Sequence, residues 1–120
     1  NIHIADMVEA YKALLVAPKS KIAGQVFNVG CENHSVLELA KMARGIVGNH
    51  VKLVVTPSDD NRSYHISSDK IKNELGFQLS YSIEDAIKDL VSAFKEGLLP
   101  NPLSNEFYFN IKRMQNIQLS

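Results

Sequence analysis

Residues 25–48 read QVFNVGCENHSVLELAKMARGIVG, a β-rich run closed by a glycine and followed at once by an amphipathic helical pattern. Val26, Phe27 and Val29 suit a pleated, half-buried surface and Gly30 ends the run, so 25–29 is predicted as a strand. Ser35 with Glu38 three residues later is a capping box, in which each side chain satisfies a backbone N–H of the other residue. Val36, Leu39, Ala40, Ala43, Ile46 and Val47 then give a continuous apolar face as far as Gly48. A strand running into a covering helix predicts an α/β fold.

The flanking segments extend that prediction. Upstream, Asn1, Ile2, His3 and Ile4 alternate like a strand, and no initiator Met precedes them; the chain is expected to be a piece of a larger protein. Asp6 and Glu9 form a second box-like pair ahead of Val8, Tyr11, Leu14 and Leu15, which predicts a helix ending before Pro18. Downstream, 51–55 is a β-branched run stopped by Pro57, and the polar residues 58–63 read as a surface loop. Ser67 or Ser68 caps a short helix through Ile71 and Leu75 that Gly76 halts. Ser82 caps a longer one carrying Ile83, Ile87, Leu90, Val91 and Phe94, which Gly97 and Pro100 end. Residues 1–100 are therefore read as one α/β portion, and 101–120, with no clean period, as a tail or docking segment. Two or three short strands alone leave sheet edges unpaired, so the isolated chain is expected to self-associate.

Composition narrows the function. Thirteen basic residues balance thirteen acidic ones, so no overall field favours nucleic acid or an anionic membrane, and the helix over 36–47 carries only Lys41 and Arg44 as bases. No apolar run approaches the roughly 20 residues of a membrane span. The single cysteine, Cys31, fits a reducing, cytoplasmic compartment better than a disulfide scaffold. The four histidines are scattered, which predicts no metal site, and the six glycines form no phosphate-binding loop. No G-x-S-x-G nucleophile turn is present.

Three stretches taken together carry a resemblance. Ile2, His3, Ile4, Ala5, Asp6 and Met7 match an R-x-x-I-H-V-x-D segment whose arginine would fall before Asn1. Phe27, Asn28, Val29 and Gly30, followed by the helix from Ser35, match a Y-N-[VIL]-G stretch in which Phe27 stands for the usual tyrosine. Asp60, Arg62, Asp69, Lys70, Leu75, Gly76 and Phe77 match D-x-R-x(n)-D-x-x-K-x(4)-L-G-[WF], with the Asp to Lys step shortened to adjacent residues. With the helix over 82–95 they cover about four fifths of the chain. In this the chain resembles the extended short-chain dehydrogenase/reductase family, of the sugar-nucleotide epimerase and dehydratase type.

The resemblance implies a C-terminal fragment of a Rossmann-type enzyme, a few short strands with covering helices, that supplies the wall for a nucleotide-diphosphate sugar. NAD or NADP would be held mainly by residues absent from this chain. The catalytic Ser or Thr and the Tyr-x-x-x-Lys pair of the family lie upstream, so no catalytic residue is carried over, and neither Tyr11 with Lys12 nor Tyr64 with Lys70 has that spacing. The isolated chain is expected to be inactive. The parent reaction would be an isomerase, lyase or reductase chemistry begun by transient oxidation of a sugar carbon.

Three residues are the substrate-side candidates. Arg62 offers paired donors and a permanent charge suited to a diphosphate, or else is a solvated arginine paired with Asp59 or Asp60. The resemblance sets His3 at the border of the cleft, although a histidine on an alternating strand is also an ordinary packed residue. Asn28 reads as a strand-end hydrogen-bonder and Asp6 as a helix cap, both shaping a site rather than reacting. Cys31 could draw thiolate character from the helix that follows it, with Glu32 opposing. Lys112 and Arg113 either contact a phosphate or another subunit, or solvate the tail. The alternative to the whole reading is a small standalone α/β binding or interaction domain without catalysis.

Overall fold

The computed structural model describes residues 1–57 and 65–118. Six α-helices follow one another: α1 (Ile4–Val16), α2 (Lys19–Ile22), α3 (Val36–Val47), α4 (Asp69–Leu75), α5 (Ile83–Lys95) and α6 (Asn110–Asn116), with a 3-10 turn at Glu106–Tyr108. No strand occurs among the described residues, so the α/β fold read from the sequence is corrected to an all-helical one.

The correction has a local cause. The β-branched composition of 25–29 and 51–55 keeps the backbone from coiling, but a strand also needs a second row of N–H and C=O groups, and no neighbouring segment supplies one among the described residues. Val26, Val54 and Val55 remain about four-fifths exposed, at 77%, 80% and 82%. At the N-terminus the alternation of 1–4 is cut short because His3, itself extended (φ −72, ψ 142), accepts the Ala5 N–H on its ring and starts α1 there. Asp6, expected as the cap, falls inside the first turn instead.

The helices that were legible form for the reasons read from the sequence. The Ser35 hydroxyl receives the Glu38 N–H at 3.2 Å while the Glu38 carboxylate receives the Ser35 N–H at 2.7 Å, so the capping box of α3 is complete. Ser82 and Asp85 build an equivalent box for α5, with bonds of 3.0 and 3.1 Å. Of the two candidate caps for α4, Ser67 binds the Asp69 N–H at 3.1 Å and Ser68 is left for a tertiary contact. Gly76 ends α4 in the left-handed region at φ 70, where a side chain would be strained. α1 stops at Ala17 because the residue before Pro18 is pushed to the extended region.

The chain divides into two compact units, Asn1–Asp89 and Leu90–Ser120. In the first, the buried apolar side chains are Ala10, Ile71 and Ile83, and two polar residues, His3 and Asp6, are buried with them. So small an apolar core leaves much of the order to hydrogen bonds. In the second, Arg113 reaches back from α6 to the Glu106 carboxylate at 2.6 Å and lays its guanidinium over the Phe107 ring at 4.7 Å. The 3-10 turn and α6 were not read from the sequence; Asn105, whose side chain accepts the Phe107 N–H, caps the 3-10 turn, and α6 starts at Phe109 without a side-chain cap.

Candidate functional site

The three stretches that carry the resemblance meet in the first unit. Cys31 N–H donates to the Asn1 carbonyl at 2.8 Å, which ties the residue after the second stretch to the residue before the first. Gly30 and Ser68 are joined twice: the Gly30 N–H donates to Ser68 Oγ at 2.8 Å, and Ser68 Oγ–H donates to the Gly30 carbonyl at 2.8 Å. A hydroxyl suits this double role because it both donates and accepts. Asn33 adds a matching pair with Ile66, accepting its N–H at 3.1 Å and donating to its carbonyl at 3.0 Å.

Asp6 ties the first stretch to the segment after α4. Its carboxylate, 1% exposed, accepts the N–H groups of Ser80 at 2.9 Å and Tyr81 at 3.1 Å. The adjacent His3 ring stacks on Tyr81 with centroids 4.4 Å apart and an 18° interplanar angle. Its Nδ1 is occupied by the Ala5 N–H and its Nε2 lies 3.1 Å from Asp89 Oδ2. His3 is thus buried, at 4% exposure, with both ring nitrogens engaged.

Cys31 completes the knot, its thiol donating to the Tyr81 carbonyl at 3.2 Å and lying 3.5 Å from Glu32 Oε1. Burial, and then the hydrogen bond and negative charge of Glu32, push the Cys31 thiol up, so it stays protonated at neutral pH and is a poor nucleophile. Glu32 in turn bonds the His34 ring, and this bond is the main reason its carboxyl sits below the ordinary range.

An open cavity of about 550 Å³ lies against this framework. Phe77 and Ile71 give it an apolar side, and Ser67, Asp69, Lys72 and Gln78 give it hydroxyl, carboxylate, ammonium and amide groups. The lining is thus mixed, one side apolar and the other rich in hydrogen-bonding groups. No group of three metal-binding side chains occurs among the described residues.

The sequence-predicted residues are placed unequally. His3 is in the knot; Asn28 is exposed on the extended segment 25–29; Arg62 lies outside the described residues. Tyr81, Asp89 and Ser68 were missed. For Ser68 a signal existed, since two consecutive serines precede a helix that needs one cap. Tyr81 and Asp89 had none, because their contacts cross 75 and 86 residues of chain.

Tyr108 and Lys112 do have Tyr-x-x-x-Lys spacing, which the sequence reading overlooked. The structure breaks the pair. Phe109 interrupts the helix between them with φ −124 and ψ 92, and the Lys112 ammonium lies over the Phe109 ring at 4.5 Å. A phenol and an ammonium on one continuous helical turn are what such a catalytic pair requires.

No helix of the described residues is long and apolar enough to cross a membrane. Comparison with known proteins finds no matching family model, no matching curated protein and no matching solved structure.

Proposed function

We propose that this chain is the substrate-side portion of an NAD(P)-dependent sugar-nucleotide epimerase or dehydratase, and that its own part in the reaction is to bind and orient a nucleotide-diphosphate sugar. The observation that carries the reading is the convergence of the three resembling stretches. Gly30 at the end of the second stretch is bonded twice to Ser68 within the third, and the residues flanking the stretches are tied to them by the Cys31 to Asn1 and Asp6 to Tyr81 bonds.

In this reading Arg62 holds the diphosphate, as a bidentate and permanently charged donor. The groups beside Phe77, namely Ser67, Asp69, Lys72 and Gln78, contact hydroxyls of the ligand. His3 and Asp6 keep the wall in register and take no proton from substrate. The residues present do not fit a dinucleotide, because the six glycines form no phosphate loop. The cofactor and the proton transfers belong to other residues of the parent enzyme, and the chain alone is catalytically silent. A free, protonated Cys31 accords with a cytoplasmic location.

Calorimetric titration with UDP-glucose and dTDP-glucose tests the proposal. Binding in the micromolar to millimolar range that falls at least about ten-fold in Arg62→Ala is expected, the loss of one charge-assisted phosphate contact. Absence of binding to either nucleotide sugar, or equal binding by the variant, overturns the proposal. Turnover by the chain with added NAD overturns its catalytic silence.

A further inference from the structure

We propose that His3 is a two-state latch at the start of α1, exchanging a helix cap for an ion pair with Asp89 when its ring takes up a second proton. The Ala5 N–H points at Nδ1 across 3.1 Å, so in the neutral ring Nδ1 carries no proton. The ring proton is then on Nε2, and it is donated to Asp89 Oδ2 at 3.1 Å. A second proton has only Nδ1 to go to.

There it would set one N–H against another. The bond to Ala5 must break, and the first turn of α1 loses the acceptor that starts it. The bond to Asp89 becomes charge-assisted at the same moment, although the Asp89 side chain is 71% exposed and water competes for it. The charged and titratable groups around the ring are Asp89 and Asp85 on α5, Asp6 on α1, Tyr81 stacked on its face, and the Cys31 thiol bonded to the Tyr81 carbonyl. Asp89 and Asp85 therefore face the imidazolium, while one backbone N–H is released. Because Asp6 and Tyr81 share the knot, loosening α1 there reaches the wall of the proposed site.

The test is a nuclear magnetic resonance titration of the full chain, carried downward in pH until the nitrogen resonances of the His3 ring report its second proton. At the upper end the His3 ring should show an unprotonated Nδ1 and a protonated Nε2. On acidification the Ala5 amide resonance should move with the same midpoint as the ring, and its exchange protection should fall about five-fold, the equilibrium factor of a typical N-cap. His3→Asn keeps a capping side chain that does not titrate, so its Ala5 amide should stay still. Asp89→Asn keeps an acceptor for Nε2, so Ala5 should still follow the ring.

A protonated Nδ1 at high pH, an Ala5 amide that ignores the ring, or an Ala5 shift that persists in His3→Asn overturns the latch. So does loss of the coupling in Asp89→Asn. If His3→Asn does not fold, the wild-type and Asp89→Asn titrations still decide between these outcomes.

Discussion

Asp6 accepts the backbone N–H of Tyr81 at 3.1 Å across 75 residues of chain, and the Ser80 N–H at 2.9 Å with its other oxygen. One carboxylate, itself buried, thus does for two backbone donors what a neighbouring strand would do in a sheet. With Ala10, Ile71 and Ile83 as the buried apolar side chains of this unit, such a contact weighs more than it would beside a large core.

Asp6→Asn should therefore be costly although it is nearly isosteric. The amide keeps one acceptor oxygen and presents an NH2 group to a backbone donor, which leaves one N–H without a partner. A loss of about 1 kcal/mol is expected, read as a lower urea midpoint with an unchanged slope. An unchanged midpoint would show that water replaces the carboxylate at no cost.

The legible part of this fold is the part written in short-range chemistry. Ser35 with Glu38, Ser82 ahead of α5, Gly76 and Pro18 act within a turn of their own positions, and each marks a helix boundary that the structure has. The β-branched runs 25–29 and 51–55 have no regular structure, because whether such runs become strands depends on a pairing partner that composition does not encode. Asp6 misled for a related reason. Its position before an apolar helical run reads as a cap, but His3 takes the cap and the carboxylate is spent on Ser80 and Tyr81. Of the candidate site, the sequence yielded His3 and the stretch around Gly30, and it yielded neither Tyr81 nor Asp89, whose roles exist only after folding.

Gly30→Ala tests the Gly30 to Ser68 junction. An added Cβ would overlap Ile66 Cδ1 and lie 3.1 Å from Cγ1 and 3.5 Å from the Asn1 carbonyl oxygen. The obstructing atom is the free end of a side chain 37% exposed, which can turn to another rotamer. The expected loss is about 1 kcal/mol, mostly recovered in an Ile66→Ala background, so a double-mutant cycle should show clear coupling. Additive effects would place the strain in the backbone instead.

Cys31 should alkylate with a maleimide more slowly than a free cysteine at neutral pH, because burial and the neighbouring Glu32 both disfavour its thiolate. Glu32→Gln removes the charge and leaves an acceptor, so the variant should react faster than the wild type at the same pH. Denaturant should abolish the difference between the two. A wild-type rate equal to that of a small thiol would refute the protected environment.

The capping boxes fix how α3 and α5 respond to acid. Glu38 is held below the ordinary carboxylate range by the Ser35 N–H and then its hydroxyl; Asp85 is held low by the Ser82 hydroxyl and then its N–H. A carboxyl whose folded-state value is depressed favours the folded state above its unfolded value and loses that contribution as pH falls through the folded value. The helical starts should therefore be intact above the ordinary carboxylate range and fray as the pH falls through and below it. Both carboxylates are reached by solvent, so the loss should be local, seen in amide exchange at Ser35 and Ser82 before any global unfolding. Glu38→Gln keeps an acceptor for the Ser35 N–H without a titrating group, so the start of α3 should no longer respond to acid while α5 still does. Ser35→Ala should instead loosen α3 at every pH, and a response to acid that survives in Glu38→Gln would assign the effect to another group.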